Sequence, residues 1–296
     1  MANSREIKGR IKAIANIERI TKTMQMIATA RFQAALRSAT DTQPYTKKIA
    51  ELVGELAASC RGQQDDALTH PLLRQAPDAG RRLMLVITSN RGLCGGYNAG
   101  VLRAAAGVIK QQAGDLNLEV VGRKGAGYFR FTGTPVDAVH TDFSDKPAYE
   151  QVEQLAERFM QRFVAGDCDT VSVAFMSFQS AARQTPAVIN LLPLADPSAE
   201  SEAESVPAAA SADYDFSPGP QKLLNELLPI TVKTRLFQCF NEAVVGEHIA
   251  RMVAMKNATD SAVTMGKELT RKYNRARQSA ITTELSEIIG GAAALQ

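Results

Sequence analysis

Apolar residues recur at helical spacing through the amino-terminal stretch. Ile7, Ile11, Ile14, Ile17, Ile20, Met24 and Ile27 lie 4, 3, 3, 3, 4 and 3 residues apart, which predicts one apolar stripe along a long helix. Ser4 is placed to cap its start. Pro44 is expected to break or kink it, and LVGELAAS carries the helical pattern on to about residue 60. At 1.5 Å per residue, forty residues reach about 60 Å, more than a compact domain needs. The period then changes. LMLVIT (83–88), LEVVG (118–122) and TVSVAFMSF (170–178) are β-rich runs, and VINLLPL (188–194) is a further candidate strand. Helical stretches fall between them at about 97–113 and 147–166. Strands alternating with helices predict a small, mostly parallel α/β sheet over about residues 80–195.

From about 221 to 288 the pattern is helical again, interrupted early by Pro229. Val263, Leu269, Tyr273, Ala276, Ala280, Leu285 and Ile288 mark its apolar stripe, and Ala258, Ala262, Gly266, Ala276 and Ala280 let a second helix approach closely. GGAAALQ at the end predicts a helix stop. Neither terminal helix can bury its stripe alone. The expected solution is an antiparallel coiled coil of the two chain ends, unevenly packed because the heptads are imperfect. The expected layout is therefore an N-terminal coiled-coil helix (1–60), an α/β domain (80–195), an acidic insert (196–219) and a C-terminal coiled-coil helix (221–296). The insert, DPSAESEAESVPAAASADYDFSPG, holds six acidic residues, three prolines and no basic residue, and reads as a solvated, disordered loop.

Composition narrows the function. The net charge of +3 over 296 residues is too mild to argue for nucleic acid. Its distribution says more: residues 1–40 carry Arg5, Lys8, Arg10, Lys12, Arg19, Lys22, Arg31 and Arg37 against only Glu6 and Glu18. Cys60, Cys94, Cys168 and Cys239 are scattered, with no CxxC pair and no histidine near them in sequence. Neither a zinc site nor a secreted disulfide framework is expected. No signal peptide is read at the N-terminus and no apolar run is long enough to span a membrane, so any membrane attachment is expected to be peripheral.

The candidate chemistry centres on SNRGLCGGYNAG (89–100), a glycine-rich turn after a strand. Gly92, Gly95, Gly96 and Gly100 miss the G-x-G-x-x-G spacing, and no G-x-x-x-x-G-K-[ST] loop exists in the chain. GRKGAG (122–127) fits neither pattern. Both stretches read first as tight strand-to-helix connections, with a nucleotide site as the alternative. Ser89, Cys94 and Cys168 lack a histidine base nearby in sequence, and paired carboxylates in an apolar setting are missing. No catalytic residue, metal ligand or cofactor-binding residue is assigned. A nucleotide-binding α/β protein, a basic nucleic-acid-binding coiled coil and a membrane-curving scaffold are the rival readings.

Three stretches together resemble the gamma subunits of F-type ATP synthases: REIKGRIKAIANIERITKTMQMIATARF (5–32), SNRGLCGGYN (89–98), and EHIARMVAMKNATDSA with LTRKYNRARQSAITTELSEIIGGAAAL (247–295). The resemblance covers essentially the whole chain in order and departs from the family at the long acidic insert. It implies terminal helices paired as a shaft, with a Rossmann-like α/β domain inserted between them. It implies a non-catalytic rotor inside a ring of three alpha and three beta subunits, contacting the epsilon subunit and the membrane-embedded c ring. The expected location is the cytoplasmic side of the cell inner membrane, with no nucleic acid bound and no cofactor. No cysteine-bearing regulatory insert is present, so a bacterial subunit without redox control is implied. Motif matching points to Lys22 and Met24 where the N-terminal helix crosses the C-terminal one. It points to Arg251, Thr282 and Glu284 on the opposing helix, and to Arg277 and Gln278 as contacts to a beta-subunit loop.

Overall fold

The structure is a computed structural model that describes residues 4–61, 70–74, 80–111, 114–194 and 219–294. In chain order it contains α1 (Ser4–Arg61), a short 3-10 turn (Pro71–Leu73), β1 (Arg82–Ile87), α2 (Tyr97–Gln111), β2 (Leu116–Val121) and α3 (Arg123–Thr132). β3 (Ala138–His140), α4 (Tyr149–Ala165), β4 (Thr170–Ser180), β5 (Arg183–Leu192) and α5 (Pro220–Ala294) follow. The chain divides into two compact units, one from Met1–Ala30 with Arg251–Gln296, the other from Arg31–Ala250. The expected acidic insert, 196–219, lies outside the described residues except for Gly219.

In the larger unit the strands form one sheet in the order β3-β2-β1-β4-β5. The first four are parallel, and β5 runs back antiparallel to β4. Alternation along β1 sends Leu83, Leu85 and Ile87 to one face and Met84 and Val86 to the other. The first face packs on Val152, Leu155, Phe159 and Phe163 of α4, on Leu224, Leu228, Val232 and Leu236 of α5, and on Ile49, Val53 and Leu56 of α1. The second packs on Tyr97, Val101, Leu102 and Ala105 of α2 and on Phe129 of α3. Strands buried on both faces explain why the sequence shows continuous apolar runs there rather than alternation.

Both prolines sit inside continuous helices, contrary to the expected interruptions. Pro44 deprives the carbonyl of Thr40 of its helical donor, but Thr40 is an exposed residue, where a lost helical bond costs least. Asn225, which loses its donor to Pro229, is exposed as well, while fully buried Leu224, Leu228 and Val232 anchor that turn. The expected stop at Gly290 and Gly291 is also corrected, since α5 runs on to Ala294. Two elements were not foreseen: β3, which has only three residues, and α3, which begins inside the glycine-rich GRKGAG.

Charged side chains are buried in and beside the sheet, Arg82, Glu119 and Asp169 among them. The Glu119 carboxylate on β2 is almost fully buried and faces His140 Nε2 at 2.8 Å, Arg158 at 2.5 Å and Arg162 at 3.3 Å. These ties join β2 and β3 to α4. At the other end of the sheet, the Arg81 backbone amide and then its guanidinium hold the Asp169 carboxyl below the ordinary carboxylate range. A depressed pKa in the folded state means this tie contributes fully above the unfolded value of 3.8 and is lost as pH falls through the folded value. Asp169→Asn is expected to flatten the acid limb of a stability–pH profile. Replacing Glu119 by Ala strips two arginines of their shared counterion. It is expected to cost about 2–3 kcal/mol, less than a fully buried pair because both arginines are part-exposed, read as a lower urea midpoint at unchanged slope.

Candidate functional site

The smaller unit is an antiparallel helix pair whose register is fixed by two observations. Thr259 Oγ1 on α5 donates to Thr21 Oγ1 on α1 at 2.8 Å, and Thr21 in turn donates to the Glu18 carbonyl at 3.0 Å. A Cβ built on Gly266 would sit 3.9 Å from Ile14 Cγ2. Seven residues back along α1 thus correspond to seven residues forward along α5. The same offset sets Ile7 against Tyr273, Ile11 against Leu269, Glu18 against Ala262 and Gln25 against Met255.

Burial follows that line. Positions 7, 11, 14, 18, 21, 25 and 28 of α1 are buried or half-buried, and so are 255, 259, 262, 266, 269, 273 and 276 of α5. Both lists step by 4 and 3 in strict alternation, the 3.5-residue repeat of a left-handed coiled coil. The expected isoleucine stripe is therefore corrected: Ile7, Ile11 and Ile14 lie in the seam, but Ile17, Ile20 and Ile27 are about half exposed. The seam runs instead through Glu18, Thr21, Gln25 and Ala28, and the first three make its centre polar. Where Gly266 supplies no side chain, an open groove of about 480 Å³ follows the helix pair, lined by Ile11, Ile14, Ala15, Val263 and Gly266 among others.

Beyond Ala276, which the register sets level with Ser4, α5 has no partner among the described residues of α1. Every described residue from Arg277 to Ala292 is exposed. Ile281, Leu285 and Ile288 are each more than half exposed, and Ile289 lies beside them. Their spacing of 4 and 3 puts them on one face of a lone helix. The same helix carries Arg271, Lys272, Arg275 and Arg277 just before this stripe. An apolar stripe of this kind gains nothing in water unless another surface covers it.

The residues singled out from the sequence all fall in this unit. Lys22 is exposed on α1, Met24 is half-buried beside the seam, and Arg251 is buried on α5. Arg277, Gln278, Thr282 and Glu284 are exposed on the lone part of α5. Thr282 Oγ1 donates to its own helix at Gln278 O, 3.0 Å. The structure brings Met24 near the level of residue 256, so Thr282 and Glu284 lie about 40 Å farther along α5 at 1.5 Å per residue. What sequence reasoning missed is the tail's separation from α1. The heptad count points to it, because the pairing reaches Ser4, the first described residue of α1, at position 276.

The glycine-rich turns belong to the larger unit and are closed by their own groups. Asn98 Oδ1 accepts from Ser89 N at 3.0 Å, while Asn98 Nδ2 donates to Ser89 Oγ at 2.8 Å and to Cys94 Sγ at 3.2 Å. The first amides of α3 are already used: Arg123 N donates to Asn90 Oδ1, Lys124 N to Ser89 O and Gly125 N to Thr88 Oγ1. A Cβ on Gly122 would lie 2.3 Å from Thr88 O, and one on Gly125 would lie 2.7 Å from Thr88 Oγ1. These glycines permit close passage of one loop against another. Cys94, Cys168 and Cys239 are buried free thiols, and burial raises the pKa of the last two. Among the described residues no cluster of metal-binding side chains occurs.

A family model described as ATP synthase matches residues 3–295. The chain is 40% identical to the ATP synthase gamma chain of Rhodopirellula baltica and 38% identical to that of Gemmatimonas aurantiaca, with both proteins of each pair fully covered. It shares its fold with the rotor of Euglena gracilis mitochondrial ATP synthase, at a TM-score of 0.63 and 18% identity over 94% of this chain and 98% of the other.

Two variants probe the helix pair. Gly266→Ala has room for its Cβ and is expected to stabilise the pair by about 0.5–1 kcal/mol through helix propensity, raising the thermal midpoint. Met24→Lys places a charge beside the seam, but the side chain is only half-buried, so its ammonium reaches water. It is expected to leave the helix content intact by circular dichroism and to impair the function of the surface instead.

Proposed function

The chain belongs to the ATP synthase gamma-chain family, and we propose that it works as the central shaft of a proton-translocating F-type ATP synthase, turning inside a ring of three alpha and three beta subunits. In this role it performs no bond chemistry. It couples proton flow to ATP synthesis or hydrolysis at sites carried by the beta subunits, and its other partners are the epsilon subunit and the c ring. The lone, stripe-bearing end of α5 is the observation that supports this most directly. It is a helix whose apolar face has no cover among the described residues and suits a surrounding collar of other subunits. No helix among the described residues is long and apolar enough to cross a membrane, and attachment through partners at the cytoplasmic face of the cell inner membrane is part of the proposal.

The mechanism rests on asymmetry. Two paired helices have no threefold symmetry, so three sites spaced around them meet three different faces. A given orientation favours one beta conformation only through a difference in contact free energy. About 1.4 kcal/mol shifts a site tenfold, and about 5.5 kcal/mol reverses a 1:99 population. Lys22, Met24 and Arg251 near the paired region, and Arg277, Gln278, Thr282 and Glu284 on the tail, are the proposed coupling contacts. The exposed cations of both helices, including Lys8, Lys12, Arg19, Lys256 and Lys267, favour acidic loops on the partner.

Isolation of the chain from its native membranes is expected to bring down a large ATPase assembly, and its purification alone or on nucleic acid would refute the reading. Within that assembly, Arg277→Ala is expected to lower proton pumping per ATP hydrolysed by up to about tenfold. The lone subunit should keep its fold, because the Arg277 side chain is exposed. Unchanged coupling removes Arg277 from the contact surface.

A further inference from the structure

At the carboxyl ends of β1, β2 and β3 the larger unit carries an open groove of about 730 Å³. Its wall receives one cation from each of four segments: Arg31 from α1, Arg91 from the loop after β1, Arg123 from the start of α3 and Lys146 from the loop after β3. Asp142 and Asp145 line the same groove. Asp145 pairs with Arg31 and, at 3.7 Å, with Arg91. Arg123 and Lys146 are exposed and form no ion pair among the described residues. Four cations thus face two carboxylates, and the lining holds two positive charges in excess.

The supports of these cations are fixed. Asn90 Nδ2 donates to the Phe143 carbonyl at 3.1 Å, and the Phe143 ring packs on Phe240 with centroids 4.6 Å apart. A smaller cavity of about 40 Å³ shares Asn90, Arg91, Phe143, Ser144 and Asp145 with the groove and is also lined by Glu247. In open α/β sheets the carboxyl edge of the strands is where ligands are held. Here the amides at the start of α3 are already bonded within the protein, so an anion must be held by side chains. Guanidinium forks and an ammonium suit the several oxygens and double negative charge of a phosphoryl group.

We propose that this groove binds a phosphate-bearing anion, gripped by Arg123 and Lys146 with Arg31 and Arg91 completing the positive wall. The binding is a property of this chain and does not depend on the shaft role. Calorimetric titration of the full-length chain at low salt with orthophosphate, pyrophosphate, ADP and, as a neutral control, adenosine tests it. Saturable binding of pyrophosphate or ADP without binding of adenosine is expected, weakened at least about tenfold in Arg123→Ala/Lys146→Ala, since both charge-assisted grips on the anion are removed. Both substitutions are at exposed positions, and an unchanged circular dichroism spectrum shows that the fold is kept. Equal affinities for pyrophosphate and ADP identify the phosphate alone as the ligand, and a clear preference for ADP identifies a nucleotide. Absence of saturable binding, or binding indifferent to the double substitution, overturns the proposal. Tighter, substitution-sensitive binding of a glutamate-rich peptide than of any phosphate also overturns it, reassigning the groove to an acidic protein segment.

Discussion

The structure of the smaller unit depends on one constraint: two helices from opposite ends of the chain bury a common seam, and only one register satisfies both. Each helix alone would leave a line of apolar side chains in water, and an isolated long helix draws little stability from propensity. The 3.5-residue repeat keeps the two lines facing each other through several turns. Thr21 and Thr259 meet at the centre of that seam and mark the alignment. Each hydroxyl also donates to a carbonyl of its own helix, Thr21 to Glu18 and Thr259 to Met255, so a slip of one heptad would lose only the contact between them.

The larger unit solves a different problem, packing helices on both faces of a five-stranded sheet with short connections. Its two glycine-rich turns are the points of closest approach, where the loop after β1 passes against the start of α3. Fully buried Phe159, Phe163, Phe240 and Leu224 fill one face, and the Glu119 cluster ties β2 and the edge strand β3 to α4. Segments of α1 and α5 contribute to this core as well, with Ala39, Val245 and Ile249 forming a small apolar cluster of their own. The terminal helices are thus structural members of both units.

Much of this was legible in the sequence, and the failures share a cause. β1, β2 and β4 were recognisable because strands buried on both faces are written as unbroken apolar runs. β5 began five residues earlier than its apolar run, since Arg183, Gln184 and Thr185 pair with β4 near the hairpin tip and are not held by burial. α3 was hidden because glycine lowers helix propensity, and here Gly125 is required by contact with Thr88. Pro44 and Pro229 read as breaks, but each sits where the carbonyl it deprives is on an exposed residue. Ile17, Ile20 and Ile27 were drawn into the stripe by hydropathy alone, while counting sevens would have selected Glu18, Thr21 and Gln25. Arg277 and its neighbours were singled out by resemblance, and the structure sets them on a stretch of α5 without a partner among the described residues.

That setting has a mechanical corollary. Along most of the smaller unit two helices share any twist or bend, whereas past Ala276, among the described residues, one helix bears it alone. A single strand of a two-stranded rod yields more readily under the same load. Torsional compliance is therefore graded along α5: the supported stretch transmits rotation, and the unsupported end stores part of it as elastic strain until an enclosing bearing lends it stiffness.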